Sequence, residues 1–110
     1  MTAQARRMGV PVAAGTDHDV EQIGGSPVLF TELEALVDRS GFSPLEAITA
    51  ATLNGARLLG TERRSGTIER GKIADLVVVR ADPFKDIRNL RQVVYVVKEG
   101  QVHRSGRGPQ

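Results

Sequence analysis

The hydrophobic pattern changes near residue 60, and this change restricts the chain to folds in which one strand and its following helices precede a region of strands and turns. Before residue 60, one short apolar run at Val10–Ala14 is followed by segments with helical spacing. After residue 60, short β-branched runs such as Ala74–Val79 and Gln92–Val97 alternate with turn residues. A chain that separates its helices from its strands in this way is typical of the α+β class.

The first half predicts one buried strand and two helices. Val10–Ala14 is short and apolar, so we expect a buried strand that runs into Gly15 and Thr16. Thr31 with Glu34 has the spacing of a helical capping box, and Ser43–Glu46 repeats that spacing with Pro at the first helical position.

The helical region also carries its own end signals. We expect Asn54–Gly55 to break or kink the second helix and Gly60 to end it. Residues 47–52 are mostly small, which permits close approach to a neighbouring element.

The second half predicts strands joined by tight turns. Lys98–Gln101 indicates a hairpin turn, and Val102–His103 begins the return strand. Asp86–Leu90 predicts a single helical turn between the strands. Two of the strands are apolar on both faces, and such a sheet requires a covering layer on each side.

Composition excludes several classes of function. The chain has no Cys and few aromatic residues, which excludes disulfides and thiolate metal sites and disfavours stacking on single-stranded nucleic acid. We expect a cytoplasmic protein without a membrane span. Residues 1–60 carry a net charge of −3 and residues 61–110 one of +5. The basic half is read as a solvated surface, with an anionic partner as the alternative.

Asp17 is the strongest candidate for a chemical role. It follows the predicted strand directly, and the carboxyl ends of barrel strands carry active sites. An Asp there can bind a metal or act as a general base, although a loop-capping Asp is the alternative. His18 and Asp19 lie beside it as candidate substrate-loop residues, whereas His103 has no visible partner and is expected to face solvent.

Taken in order, the motifs of this chain resemble the C-terminal end of metal-dependent amidohydrolases. The resemblance is nearest to the imidazolonepropionase-like and Xaa-Pro-dipeptidase-like branch, and the order and spacing of all the pieces carry it. The matching pieces are Ala14–Asp17, Phe30–Leu33, Gly41–Ile48, Ala51–Gly60, Gly66–Val79, Asp82–Pro83 and Val94–Val102.

The resemblance implies a fold and a division of the chain. Enzymes of this family are (β/α)8 barrels with a small β-sandwich. Residues 1–60 would supply the last barrel strand and the helices after it, and residues 61–103 the C-terminal share of the sandwich. Residues 104–110 are expected to form a disordered tail. A chain of 110 residues holds only an incomplete barrel, since a full one needs at least ~200 residues.

The resemblance also implies a chemistry. Asp17 would match the family's Asp that contacts the metal and takes a proton from the attacking water. A divalent metal, zinc first, is implied only if the missing barrel portion is supplied, because Asp17 alone cannot hold it. The substrate would be a small amide, cyclic amide or dipeptide.

Three hypotheses follow for this chain. The first is the C-terminal part of such a hydrolase, inactive alone, with the missing barrel portion supplied in a longer chain or by an N-terminal barrel partner. The second is a non-catalytic fragment that forms homo-oligomers through exposed edges and apolar faces. The third is a basic nucleic-acid-binding module, supported only by the +5 half.

Overall fold

The computed structural model of the chain describes residues 2–15 and 28–104. These residues form the helices α1 (Thr2–Arg7), α2 (Val28–Ser40), α3 (Pro44–Ala51) and α4 (Leu53–Leu59), followed by the strands β1 (Leu76–Val79), β2 (Val93–Lys98) and β3 (Gln101–Arg104). A 3-10 helix, Ile87–Arg91, connects β1 to β2. The helices precede the strands, so the described chain is a small α+β piece with an open three-stranded sheet.

The hydrophobic core lies between α2, α3 and the 3-10 helix. Its buried residues are Leu33, Leu36, Phe42, Ala47, Ala50 and Ile87, and Val12 and Ala14 pack against them. Ala47 and Ala50 are almost fully buried, which confirms that small side chains on α3 allow a close approach. Ile87 is only 2% exposed and anchors the strand region onto the helices.

The second predicted capping box is present at the start of α3. The Ser43 hydroxyl accepts a hydrogen bond from the Glu46 amide, and the Glu46 carboxylate accepts one from the Ser43 amide, both at 3.1 Å. These contacts satisfy two amide donors that the first helical turn leaves free. Pro44 occupies the first helical position, as expected.

The first predicted capping box is wrong. Helix α2 begins at Val28, so Thr31 and Glu34 lie inside the helix. Both side chains contact Arg91 instead: its Nη2 donates to Thr31 Oγ1 at 3.0 Å, and its Nε donates to Glu34 Oε2 at 2.6 Å. A local capping pattern is overridden here by a contact between distant parts of the chain.

The predicted strand at Val10–Ala14 is also wrong for the described structure. Residues 10–15 have no regular secondary structure, and their backbone bonds to helices rather than to another strand. The Val10 amide donates to the Ala5 carbonyl and the Ala14 amide donates to the Ala50 carbonyl. A strand requires a neighbour to complete its hydrogen-bond ladder, and here helices provide the partners.

The sheet is antiparallel in the order β1–β2–β3. Leu76, Val77 and Val78 pair with Val97, Val96 and Tyr95, and an irregularity follows between Val78 and Val79. The predicted hairpin is confirmed: Glu99 and Gly100 both have positive φ, at 51° and 83°. Two consecutive positive φ angles define the type I′ turn that joins two-residue hairpins.

Both sheet faces expose valines within the described residues. Val77 is 57% exposed and Val78, its neighbour on the opposite face, is 46% exposed. Two further valines, Val96 and Val102, are exposed on the neighbouring strands. The covering layers that the sequence pattern requires are therefore not completed by the described chain.

The predicted start of the tail at residue 104 is wrong. Arg104, placed at the start of a disordered tail, is the last residue of β3, and residues 105–110 lie outside the described residues. No helix in the described ranges is long and apolar enough to cross a membrane.

Helix α1 is attached to α3 by one ion pair. Arg6 donates through Nε and Nη2 to the two carboxylate oxygens of Glu46, both at 2.9 Å, and its guanidinium lies 5.9 Å from the centre of the Phe42 ring. The Arg6 hydrogen bonds, helped by the Ser43 amide, lower the pKa of Glu46 from 4.5 to about 2. Ionised Glu46 therefore stabilises both the start of α3 and its contact with α1.

The first prediction concerns the pH dependence of this contact. Because the pKa of Glu46 is lowered on folding, its contribution to stability is complete above about pH 5 and is lost as the pH falls through about 2. Glu46→Gln should lower the free energy of unfolding at pH 7, and the gap to wild type should close between pH 5 and pH 2. Urea unfolding across that range measures the gap.

Glu62→Gln is the matched control, because Glu62 has an exposed side chain and its backbone contact to Lys72 remains. The difference in free energy of unfolding between Glu62→Gln and wild type should stay small at every pH. A Glu46→Gln gap that does not change with pH would contradict the assigned role of the ion pair.

Candidate active site

The predicted site residues are Asp17, His18 and Asp19, and all three lie outside the described residues. The structure does describe the segment that leads to them, residues 10–15. What the structure shows beside this site is therefore how residues 10–15 are attached to the helices.

Two hydrogen bonds attach the segment to the junction between α3 and α4. The Ala14 amide donates to the Ala50 carbonyl at 2.9 Å, and the side-chain amide of Asn54 donates to the Val12 carbonyl at 2.9 Å. Val12 and Ala14 also pack against the hydrophobic core. Backbone and side chains thus hold the chain in place up to the residues just before Asp17.

The junction exists because the helix is interrupted at Thr52. Helix α3 ends at Ala51 and α4 begins at Leu53, and Thr52 between them has φ −117° and ψ −83°, outside the helical region. In an unbroken helix, the Ala50 carbonyl accepts from the amide four residues later. The interruption makes this carbonyl available to Ala14.

The predicted break at Asn54–Gly55 is therefore displaced. The structure interrupts the helix two residues earlier, and both Asn54 and Gly55 lie inside α4. Asn54 has a different role, as the donor to Val12. Sequence reasoning missed this role because a contact between residues 42 positions apart leaves no local pattern.

The loop after α4 also packs against the junction of α3 and α4. Gly66 has φ +96°, and a β-carbon placed there would lie 2.8 Å from the Ala56 β-carbon and 3.2 Å from the Leu53 α-carbon. Lys72 holds the same loop together: its Nζ lies 2.7 Å from the Glu62 carbonyl and 2.6 Å from Thr67 Oγ1. Position 66 thus requires glycine, both because its φ is positive and because a β-carbon has no room there.

Within the described residues, four basic side chains of the second half form ion pairs: Lys72, Arg88, Arg91 and Lys98. Arg88 pairs with Asp38 and Asp86, and Arg91 pairs with Glu34. Hydrogen bonding to the Glu34 carboxylate raises the pKa of Arg91. The Arg88–Asp38 and Arg91–Glu34 pairs join the 3-10 helix to α2.

The described residues do not fit a metal site. Within residues 2–15 and 28–104, no three His, Cys, Asp or Glu side chains come together as a metal ion requires. His103 is exposed on β3 opposite Val96. It contributes to no such cluster in the described part of the chain.

Comparison with known proteins identifies the class. The family model described as "Amidohydrolase family" matches residues 2–103. Imidazolonepropionase from Thermoplasma volcanium is 35% identical over 79 residues, which cover 72% of this chain and 19% of the relative. Ochratoxinase from Aspergillus niger is 36% identical, with 96% of this chain and 22% of the relative covered.

Solved structures agree with the sequence relatives. A Xaa-Pro dipeptidase crystallised with methionine in its active site superimposes with a TM-score of 0.81 at 33% identity, covering 94% of this chain and 25% of that one. The chain belongs to the amidohydrolase family, as its motif order predicted. It spans about a fifth of the length of the curated relatives it matches.

The second prediction tests the close packing at Gly66. Gly66→Ala should lower the free energy of unfolding more than Gly71→Ala, because both residues have positive φ but a β-carbon at Gly71 meets nothing within 4 Å. The conformational strain should cost ~1–2 kcal/mol at either site, and overpacking at Gly66 a further ~1–3 kcal/mol. Equal losses in urea unfolding would show that the contact with Ala56 and Leu53 is not tight.

Proposed function

We propose that this chain is the C-terminal part of a metal-dependent hydrolase that cleaves C–N bonds in a small amide, cyclic amide or dipeptide. The observation that carries the proposal is the match to the amidohydrolase family over residues 2–103. The similarity to imidazolonepropionase and to a Xaa-Pro dipeptidase supports the choice of bond and of a small substrate.

Asp17 is the residue to which we assign the chemistry. Its carboxylate would accept a proton from the attacking water, and it would also be one metal ligand. His18 and Asp19 would line the substrate loop. A catalytic metal site takes about three protein ligands, so the remaining ligands would come from sequence beyond the described residues, and zinc is the metal we expect.

The remaining barrel portion would also cover apolar surface. Leu58 and Leu59, at the end of α4, are 77% and 78% exposed, and Ile68 in the following loop is exposed as well. Side chains of this kind pack against protein in completed folds. We assign this surface to an N-terminal barrel portion, and in the absence of that portion to a second copy of the chain.

This proposal keeps the expected division of the chain. Residues 1–60 would belong to the (β/α)8 barrel and residues 61–103 to the sandwich. The junction of α3 and α4, which is bonded to residues 12 and 14, would then belong to the barrel part. A cytoplasmic location is part of the same proposal.

The third prediction tests the catalytic assignment in the protein isolated from its own source. Its intact mass should be about 45 kDa, as for a complete barrel enzyme, rather than 11.8 kDa. It should hydrolyse members of a panel of Xaa-Pro dipeptides, N-acyl amino acids and cyclic amides. Asp17→Asn should lower kcat about 100-fold or more, because a general base is removed.

Two variants serve as comparisons for Asp17→Asn. Asp19→Asn should change KM more than kcat, and Glu62→Gln, on an exposed loop, should change neither. Full activity of Asp17→Asn would contradict the catalytic role. An intact chain mass of 11.8 kDa without hydrolysis would favour the non-catalytic oligomer.

The fourth prediction concerns association of the 110-residue chain alone. Sedimentation velocity should show oligomers, and replacing Leu58 and Leu59 by Gln should raise the monomer fraction because it removes exposed apolar surface. Arg57→Gln, on the same helix, is the control and should leave the distribution unchanged. A monodisperse wild-type monomer with cooperative unfolding would contradict this prediction.

A further inference from the structure

The dipeptide Asn54–Gly55, at the junction of α3 and α4, has a chemical reactivity that the proposed function does not use. In an Asn–Gly sequence the backbone amide of the glycine can attack the side-chain carbonyl carbon of the asparagine, because glycine has no β-carbon to hinder the approach. Asparagine is thermolabile in proteins through reactions of this kind. Asn89 is the other asparagine of the chain, and since leucine follows it, it provides an internal reference.

The attacking group, the Gly55 amide, is not held by a hydrogen bond within α4. Gly55 is the third residue of that helix, and the amides of a first helical turn have no carbonyl partner inside the helix. The side chain of Thr52, just before α4, makes no capping bond to this turn, because its hydroxyl donates to the Ile48 carbonyl at 2.7 Å. The surroundings are also open: outside its own helix and chain neighbours, a β-carbon at Gly55 would first meet the Ala50 carbonyl oxygen, at 4.0 Å.

The group that is attacked, the side-chain carbonyl carbon of Asn54, is restrained in the folded chain. Its amide nitrogen Nδ2 donates to the Val12 carbonyl at 2.9 Å, and the side chain is partly buried. Ring closure also requires the Asn54 backbone to leave its helical ψ, which is near −42° in regular helices. The reaction therefore needs the start of α4 to open and the contact with Val12 to break.

We propose that Asn54 is a site of spontaneous deamidation and that its contact with Val12 restrains the reaction. In the opened junction the Gly55 amide gives its proton to hydroxide, and its nitrogen forms a bond to Asn54 Cγ. The Cγ–Nδ2 bond breaks, and the nitrogen leaves as ammonia after taking a proton from water, so a five-membered cyclic imide remains. Water then opens the imide at Cγ, which gives aspartate, or at the backbone carbonyl carbon, which gives isoaspartate. Overall, one water is consumed and one ammonia is released.

Neither product can restore the contact with Val12. Aspartate at position 54 replaces the donor by an acceptor that faces a carbonyl oxygen, and isoaspartate lengthens the backbone by one carbon at the start of α4. Because the ammonia is lost, the change runs in one direction and loosens the attachment of residues 12–14 to the helix junction. This inference goes beyond the proposed hydrolase and does not depend on it.

The first experiment follows both asparagines during incubation of the 110-residue chain at mildly alkaline pH. Peptide mapping by mass spectrometry detects conversion of each amide to an acid, and enzymatic methylation detects isoaspartate. Asn54 should convert faster than Asn89, whose side chain also donates to a backbone carbonyl, that of Asp82, at 2.8 Å. Unfolding the chain in urea should speed the conversion of Asn54 about tenfold or more, the effect of one lost hydrogen bond on local opening. The proposal is wrong if folded Asn54 converts no faster than Asn89, or if folding does not slow its conversion.

Gly55→Ala tests the attacking group while keeping Asn54. The fold should be retained, because the added β-carbon has room and alanine is a better helix former than glycine. Conversion of Asn54 in the folded variant should be about fivefold or more slower, from the helix preference alone and further from hindrance at the attacking nitrogen. The slowing should persist in urea, where no helix contributes. An unchanged rate under both conditions would contradict attack by the Gly55 amide.

The second experiment measures what deamidation does to residues 12–14. The converted protein carries one more negative charge, so ion-exchange chromatography separates it from the unconverted chain. Its Ala14 amide should exchange hydrogen about tenfold faster than in the unconverted chain, as expected for one lost hydrogen bond. The Phe42 amide, bonded to the Leu36 carbonyl in the core, reports global unfolding and should change much less. Equal exchange of Ala14 in the two fractions, or an equal rise at both amides, would overturn the predicted loosening.

Discussion

The hydrogen bond from the Ala14 amide to the Ala50 carbonyl joins two parts of the chain that lie far apart in sequence. One is the segment that leads to Asp17, and the other is α3, whose small buried residues form the centre of the core. The bond exists only because the helix is interrupted at Thr52. Because of the interruption, the Ala50 carbonyl near the end of α3 is free to hold a segment that has no strand partner in the described structure.

Local signals predicted the parts of the fold that depend on local contacts. The Ser43 capping box and the turn at Glu99–Gly100 both involve groups a few residues apart, and both are confirmed. The strand at Val10–Ala14 was wrong because a strand is defined by its neighbour, which a short apolar run does not specify. The cap at Thr31 was wrong because Arg91, sixty residues away, contacts that side chain inside a longer helix.

The candidate site, too, could be predicted only as far as local sequence signals reach. The order of motifs was enough to predict the family, and the position after the predicted strand selected Asp17 with His18 and Asp19 beside it. These residues lie outside the described ranges, so their roles stay predictions. Asn54 is part of a recognised motif and was read only as a helix breaker. Its contact with Val12 spans 42 residues, so nothing in the neighbouring sequence indicates it.

The distribution of charge and apolar surface indicates what kind of partner the chain needs. Its exposed ion pairs, such as Arg88 with Asp38, stabilise the fold little and use basic groups that an anionic partner would otherwise contact. Exposed Leu58, Leu59, Val77 and Val102 would each contribute about 1.5–3 kcal/mol if fully buried. Covering both sheet faces and the end of α4 with protein is therefore a larger gain than any the charges offer. This difference favours completion by further protein chain over binding to nucleic acid, in agreement with membership of a family whose matched relatives are about four times as long as this chain.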